Sequence, residues 1–178
     1  MAAKLEIERK FLVRDPGIVA GLGGRRLEQG YFGQVGAYHL RIRIAGEEAW
    51  VTLKSDTPGA ARQEYEAAIP LALARRLLNG CPERHKVTKT RYRLPALGQG
   101  EPRLTWEIDQ FHGRHEGLWL AEIELDRPDR TLDLPVWLGV EVTDDPGYRN
   151  AALAEAPQQP ALLDAELRPH IEALGAFE

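Results

Sequence analysis

Like-charged residues stand two positions apart along much of this chain. Glu6 and Glu8 lead to Lys10; Arg41 and Arg43 alternate with Leu40, Ile42 and Ile44; Glu64 and Glu66 flank Tyr65. Further on, Lys89 and Arg91 are interleaved with Thr88, Thr90 and Tyr92, Glu107 and Asp109 flank Ile108, and Glu122 and Glu124 alternate with Ala121, Ile123 and Leu125. Lys54 ends the run Trp50-Val-Thr-Leu-Lys54. Residues i and i+2 of a β-strand share a face, so each pair puts its charges on one side and apolar residues on the other. For any single pair the ordinary reading is a solvated outer face, since charged residues are rarely buried unpaired. Repetition changes that reading, because blocks of like charge on strand after strand make a poor outer surface. A closed barrel with the charges inside resolves the difficulty. Its lumen would hold eight acids (Glu6, Glu8, Glu64, Glu66, Glu107, Asp109, Glu122, Glu124) and six bases (Lys10, Arg41, Arg43, Lys54, Lys89, Arg91), an excess of 8 − 6 = 2 negative charges. Clustered carboxylates suit magnesium or manganese, and two such ions turn the balance to about +2, which favours a polyanion. Lysine and arginine then grip phosphate oxygens, arginine in bidentate fashion.

The elements that must position these residues are short strands. Period-2 alternation predicts them at 6–13, 27–32, 38–44, 49–55 and 62–69, then at 86–94, 104–111, 118–125 and 136–143. Val35-Gly36, Ala45-Gly46 and Pro58-Gly59 supply turn residues between them. Pro70 ends the fifth strand, and a short helix is predicted over 71–78 with Asn79-Gly80 as its stop. Beyond Pro146 the pattern turns helical over 148–155, breaks at Pro157-Gln-Gln-Pro160, and resumes with Leu163, Leu167, Ile171 and Leu174 at helical spacing. That tail, about 148–178, is expected to pack on the body as an amphipathic helix. The fold class that follows is α+β, mainly β: a closed antiparallel barrel with a charged lumen and peripheral helices.

Composition limits the alternatives. A chain of 178 residues fits one domain, expected over 1–178, and 28% charged with 43% hydrophobic residues is a globular balance. A net charge of −4 gives no general attraction to nucleic acid or to an anionic membrane, so neither is expected as a partner. Cys81 is the only cysteine, which rules out an internal disulfide and fits a reducing cytoplasm. The N-terminal residues become charged at once, unlike a signal peptide, and no stretch reaches the roughly 20 apolar residues of a membrane span. His39, His85, His112, His115 and His170 match no familiar ligand spacing and read as surface or turn residues. Gly21-Leu-Gly-Gly24 lacks the Lys-Ser/Thr that a P-loop requires. Cys81 beside Pro82 reads as a small buried residue, Trp50, Trp106, Trp119 and Trp137 as strand packing, and Tyr31 as either a packing or a lumen residue.

The segment Glu6-Ile-Glu-Arg-Lys10 resembles the Glu-x-Glu-x-Lys signature of the CYTH superfamily, the triphosphate tunnel metalloenzymes. The resemblance continues in order through Gln29-Gly-Tyr31, Leu40-Arg-Ile-Arg43, Thr52-Leu-Lys54, Glu64-Tyr-Glu66, Lys89-Thr-Arg-Tyr92, Trp106-Glu-Ile-Asp109, Ala121-Glu-Ile-Glu124 and 137–143. The spacing is similar to short bacterial members of inorganic-triphosphatase type. What the resemblance implies is an eight-stranded tunnel. In it Glu6, Glu8, Glu122 and Glu124, with Glu64 and Asp109 less firmly, would hold metal, and Lys10, Arg41, Arg43, Lys54, Lys89 and Arg91 would bind substrate. It gives Glu6, Glu8, Lys10, Arg41, Arg43 and Lys54 the catalytic roles, and casts Glu66, Glu107 and Glu141 as structural partners of the bases. Beyond residue 150 no motif matches.

The expected chemistry is metal-dependent phosphoryl transfer to water. Tripolyphosphate is the favoured substrate, with Mg2+ or Mn2+, two ions per site, in a monomer or homodimer. The alternatives are a class IV adenylyl cyclase or a thiamine or nucleoside triphosphatase on the same grip and, from another class, a polyphosphate or nucleotide binding module without catalysis.

Overall fold

The computed structural model describes residues 4–55, 61–97 and 103–175. Among these residues nine antiparallel strands form: β1 (Lys4–Val13), β2 (Arg25–Val35), β3 (Tyr38–Ala45), β4 (Glu48–Ser55), β5 (Ala61–Ala68), β6 (Lys86–Pro95), β7 (Thr105–Phe111), β8 (Trp119–Leu125) and β9 (Leu138–Glu141). Their order is β5-β4-β3-β2-β6-β7-β8-β1-β9, and an extra β5–β1 pairing closes the first eight into a ring. The ring is not evenly disposed round one axis. One edge of β1 pairs with β8 over Ile7–Leu12. Its other edge is divided, with Lys4–Ile7 meeting Ala61–Glu64 of β5 and Phe11 and Val13 meeting β9. Thus β9 stands outside the ring, and the closed barrel expected from the alternation is present with the eight strands that the resemblance implies.

Turn chemistry holds where it is described. Gly36 and Gly46 adopt φ of 59° and 58° in the β2–β3 and β3–β4 hairpins, a region closed to most side chains. The Pro58-Gly59 turn lies outside the described residues. β9 is shorter than the predicted 136–143, because the Leu138 N–H bonds back to the Pro135 carbonyl in a turn before the strand begins.

Alternation then sends apolar faces outward, where other segments cover them. On β1, β7 and β8 the residues Ile7, Phe11, Trp106, Ile108, Ala121 and Ile123 pack under Val19, Leu132, Trp137 and Leu138. Trp106 sits edge-on to both Phe11 and Trp137, at ring separations of 5.7 and 5.5 Å. On β3 and β4, Leu40, Ile42, Val51 and Leu53 lie under helix α1 (Leu71–Gly80) and helix α3 (Arg168–Glu172). Each large aliphatic side chain fully buried this way contributes roughly 1.5–3 kcal/mol. Helix α1 runs through Asn79-Gly80 instead of stopping there. It ends at Cys81, whose extended backbone is what a residue before proline prefers. The predicted 148–155 helix is a 3-10 turn at Pro146–Tyr148 followed by the one-turn helix α2 (Asn150–Leu153). Helix α3 is short as well, but Leu167, Ile171 and Leu174 are buried as their spacing predicts.

A third apolar cluster matters for the lumen. Tyr31, Val87, Phe111 and Leu120, on the inward faces of β2, β6, β7 and β8, pack against Val142, Ala154 and Ala156. The segment after β9 therefore lies across the end of the ring on that side.

Candidate functional site

Inside the ring is a cavity of about 450 Å³. Eleven of the twelve site residues expected from the sequence line it: Glu6, Glu8 and Lys10 from β1, Arg41 and Arg43 from β3, Lys54 from β4, Glu64 from β5, Lys89 and Arg91 from β6, and Glu122 and Glu124 from β8. Asp109 of β7 does not line it but lies fully buried behind the bases.

Two groups of charges face one another. In the first, the Lys54 ammonium is bonded to Glu6 Oε2 and stands 3.5 Å from Glu64 Oε2 and 3.9 Å from Glu8 Oε2. Burial disfavours this charge, yet Glu8, Glu6 and Glu64 outweigh burial and push the lysine pKa up. Arg41 reaches Thr52 Oγ1 at 3.2 Å, Glu66 at 3.7 Å and Glu64 at 4.0 Å. Arg43 bonds Glu66 at 2.9 Å, and its guanidinium lies over Trp50.

In the second group Glu122 takes Lys10 Nζ at 2.8 Å and Arg91 Nη2 at 2.9 Å. Burial alone would raise the Glu122 pKa; Lys10, Lys89 and Arg91 overcome it and hold the carboxyl well below its ordinary range. Asp109 accepts Arg91 Nε at 2.7 Å on one oxygen, and Arg91 Nη2 at 2.6 Å and Lys89 Nζ at 2.5 Å on the other. Burial pulls the Lys89 pKa down, with Asp109 opposing. Arg91 also bonds Glu107. Tyr31 lines the cavity between the groups, and burial raises its hydroxyl pKa.

Some expectations need correction. Glu141, cast as a partner of lumen bases, bonds Arg9 on the outside at 2.6 and 2.8 Å, because β9 is not part of the ring. His39, read as a surface or turn residue, is buried and lines the cavity. Glu66 and Glu107 do pair with the bases as expected. Glu124 stands near the edge, half-exposed and bonded to Lys4 at 2.6 Å.

The sequence reading also missed residues. Arg62 lines the cavity 3.6 Å from Glu8; lying two positions before Glu64, it was detectable by the same alternation. Arg149 and Asn150 enter from the segment after β9, and no sequence pattern marked them.

Among the described residues, no three acidic, histidine or cysteine side chains gather tightly on one another as a preformed metal cluster. The three carboxylates around Lys54 gather instead on an ammonium, a cation standing where oxygen donors of metal-binding type converge. The donor set fits a hard divalent cation. Among the same residues no helix is long and apolar enough to cross a membrane.

The sequence and fold have known relatives. The chain is 36% identical over 152 residues to the inorganic triphosphatase of Acetivibrio thermocellus, covering 85% of this chain and 94% of that one. It is 40% identical over 153 residues to the inorganic triphosphatase of Nitrosomonas europaea, covering 84% and 96%. The crystal structure of the inorganic triphosphatase NE1496 superposes with a TM-score of 0.59 at 36% identity, covering 88% of this chain and 97% of that one. The CYTH domain model matches residues 4–146, the stretch that builds the ring and all its inward charges, and the chain belongs to the CYTH domain family.

Proposed function

We propose that this protein is a metal-dependent triphosphatase that hydrolyses inorganic tripolyphosphate to pyrophosphate and phosphate. The observation that carries the reading is the convergence of all six expected bases and five of the six expected metal-binding carboxylates on one cavity inside the ring. The relatives named as inorganic triphosphatases support the same substrate.

Glu6, Glu8 and Glu64 on one side, and Glu122 and Glu124 on the other, would hold Mg2+ or Mn2+, two ions per site. When bound, the metal supplies neutralisation of phosphate charge and a water of lowered pKa. Lys10, Arg41, Arg43, Lys54, Lys89 and Arg91 bind the phosphate oxygens, and the fixed guanidinium groups stabilise the charge that spreads over them in the transition state. With metal held by Glu6, Glu8 and Glu64, the Lys54 ammonium that now pairs with them would serve phosphate instead. Asp109, expected as a metal ligand, has both oxygens on bases, and we assign it to orienting Lys89 and Arg91. The chain works as a single tunnel domain in the cytoplasm, as a monomer or homodimer, without nucleic acid or membrane.

The test is to offer tripolyphosphate, ATP, thiamine triphosphate and pyrophosphate with magnesium or manganese and to measure phosphate and cyclic AMP. Tripolyphosphate should give the highest kcat/KM, with activity lost in EDTA. Cyclic AMP from ATP, or binding of tripolyphosphate without turnover, would replace this reading with the cyclase or the binding module.

A further inference from the structure

The family match ends at residue 146, the first residue of a turn that leads into the cavity. Two lysines meet that turn in the same way. Lys10 donates to Glu122 at 2.8 Å and to the Tyr148 carbonyl at 3.3 Å. Lys89 donates to Asp109 at 2.5 Å and to Asn150 Oδ1 at 3.3 Å. Each ammonium thus has one carboxylate from the ring and one neutral acceptor from residues 148–150. An ammonium carries three N–H donors around one tetrahedral nitrogen. Fixing two of them fixes the direction of the third.

The turn is held firmly enough to serve this purpose. The Asp145 side chain accepts the Gly147 N–H at 2.9 Å, and Ala151, Leu153 and Ala154 pack into the apolar cluster around Phe111 and Leu120. Lys89 itself is only 1% exposed, so its side chain has little freedom to find another acceptor.

We propose that Asn150 is a positioning residue for triphosphate binding: its side-chain oxygen, with Asp109, aims the remaining N–H of Lys89 at a phosphate oxygen in the cavity. The inference rests on the triphosphatase reading above. It makes the segment beyond the family match a working part of the site.

Asn150→Ala tests it, and alanine is a strong helix former suited to the start of α2. With magnesium, its KM for tripolyphosphate should rise about tenfold, the loss expected for one hydrogen bond to a charged group, while kcat stays within about twofold. Its thermal midpoint should stay within a few degrees of wild type. In a Lys89→Met background the same substitution should change the KM for tripolyphosphate, again measured with magnesium, by less than about twofold. An unchanged KM in Asn150→Ala, or an equal loss with and without Lys89, overturns the assignment. Wild-type protein that neither binds nor cleaves tripolyphosphate would instead refute the triphosphatase reading itself.

Discussion

Lys54 and Arg91 hold matching places on opposite walls, each a cation among three carboxylates. Removing one member of such a buried group leaves the others uncompensated, which costs more than the pair contributes when intact. Glu8→Gln is therefore expected to lower kcat with magnesium by about 100-fold or more, the scale of losing a transition-state electrostatic contact. A variant retaining full magnesium-dependent turnover would show the site to be elsewhere. Glu122 adds a pH signature. Its folded pKa lies well below that of the unfolded chain, so its stabilising effect is complete above the unfolded value of about 4.3 and drains away as pH falls toward the folded value. In EDTA, the unfolding free energy of wild type should fall more steeply below about pH 5 than that of Glu122→Gln. Parallel curves for the two proteins would contradict this.

The elements were largely legible because a barrel with a charged interior and an apolar exterior writes period 2 into every strand. Glu6, Glu8 and Lys10 alternate with Ile7 and Phe11, and the structure puts the first three on the cavity and the last two in the core. Alternation cannot say which strand stays outside a ring, so it could not correct the role that the resemblance implies for Glu141, which faces Arg9 and not a lumen base. Nor can it reach Asn150, whose contact with Lys89 depends on how a loop returns across the ring. The 3.6-residue period of the tail was readable for the complementary reason: Leu167, Ile171 and Leu174 fill one buried stripe against β3 and β4. Ile171→Ala should destabilise the protein by about 2–5 kcal/mol in denaturant unfolding. Leu162, 99% exposed in the same tail, should tolerate Asp within about 0.5 kcal/mol. Equal effects from the two would mean that the tail does not pack as described.

At the scale of the molecule, closure rests on the joint between β1 and β5. Among the described residues, Lys4–Ile7 pairs with Ala61–Glu64 to join β1 and β5, whereas β3 and β4 pair along eight residues. Glu6 and Glu64 belong to that joint, and both reach the Lys54 cation across it. Short, peripheral pairings open first in local unfolding. In the free protein the joint amides should exchange hydrogen faster than those of β3. Magnesium with tripolyphosphate should slow the joint more than any other strand pair, and a slowing spread evenly round the ring would argue against this. The cargo is then also the clasp: the hoop is fastened by what it carries, and an empty enzyme is a looser object than a loaded one.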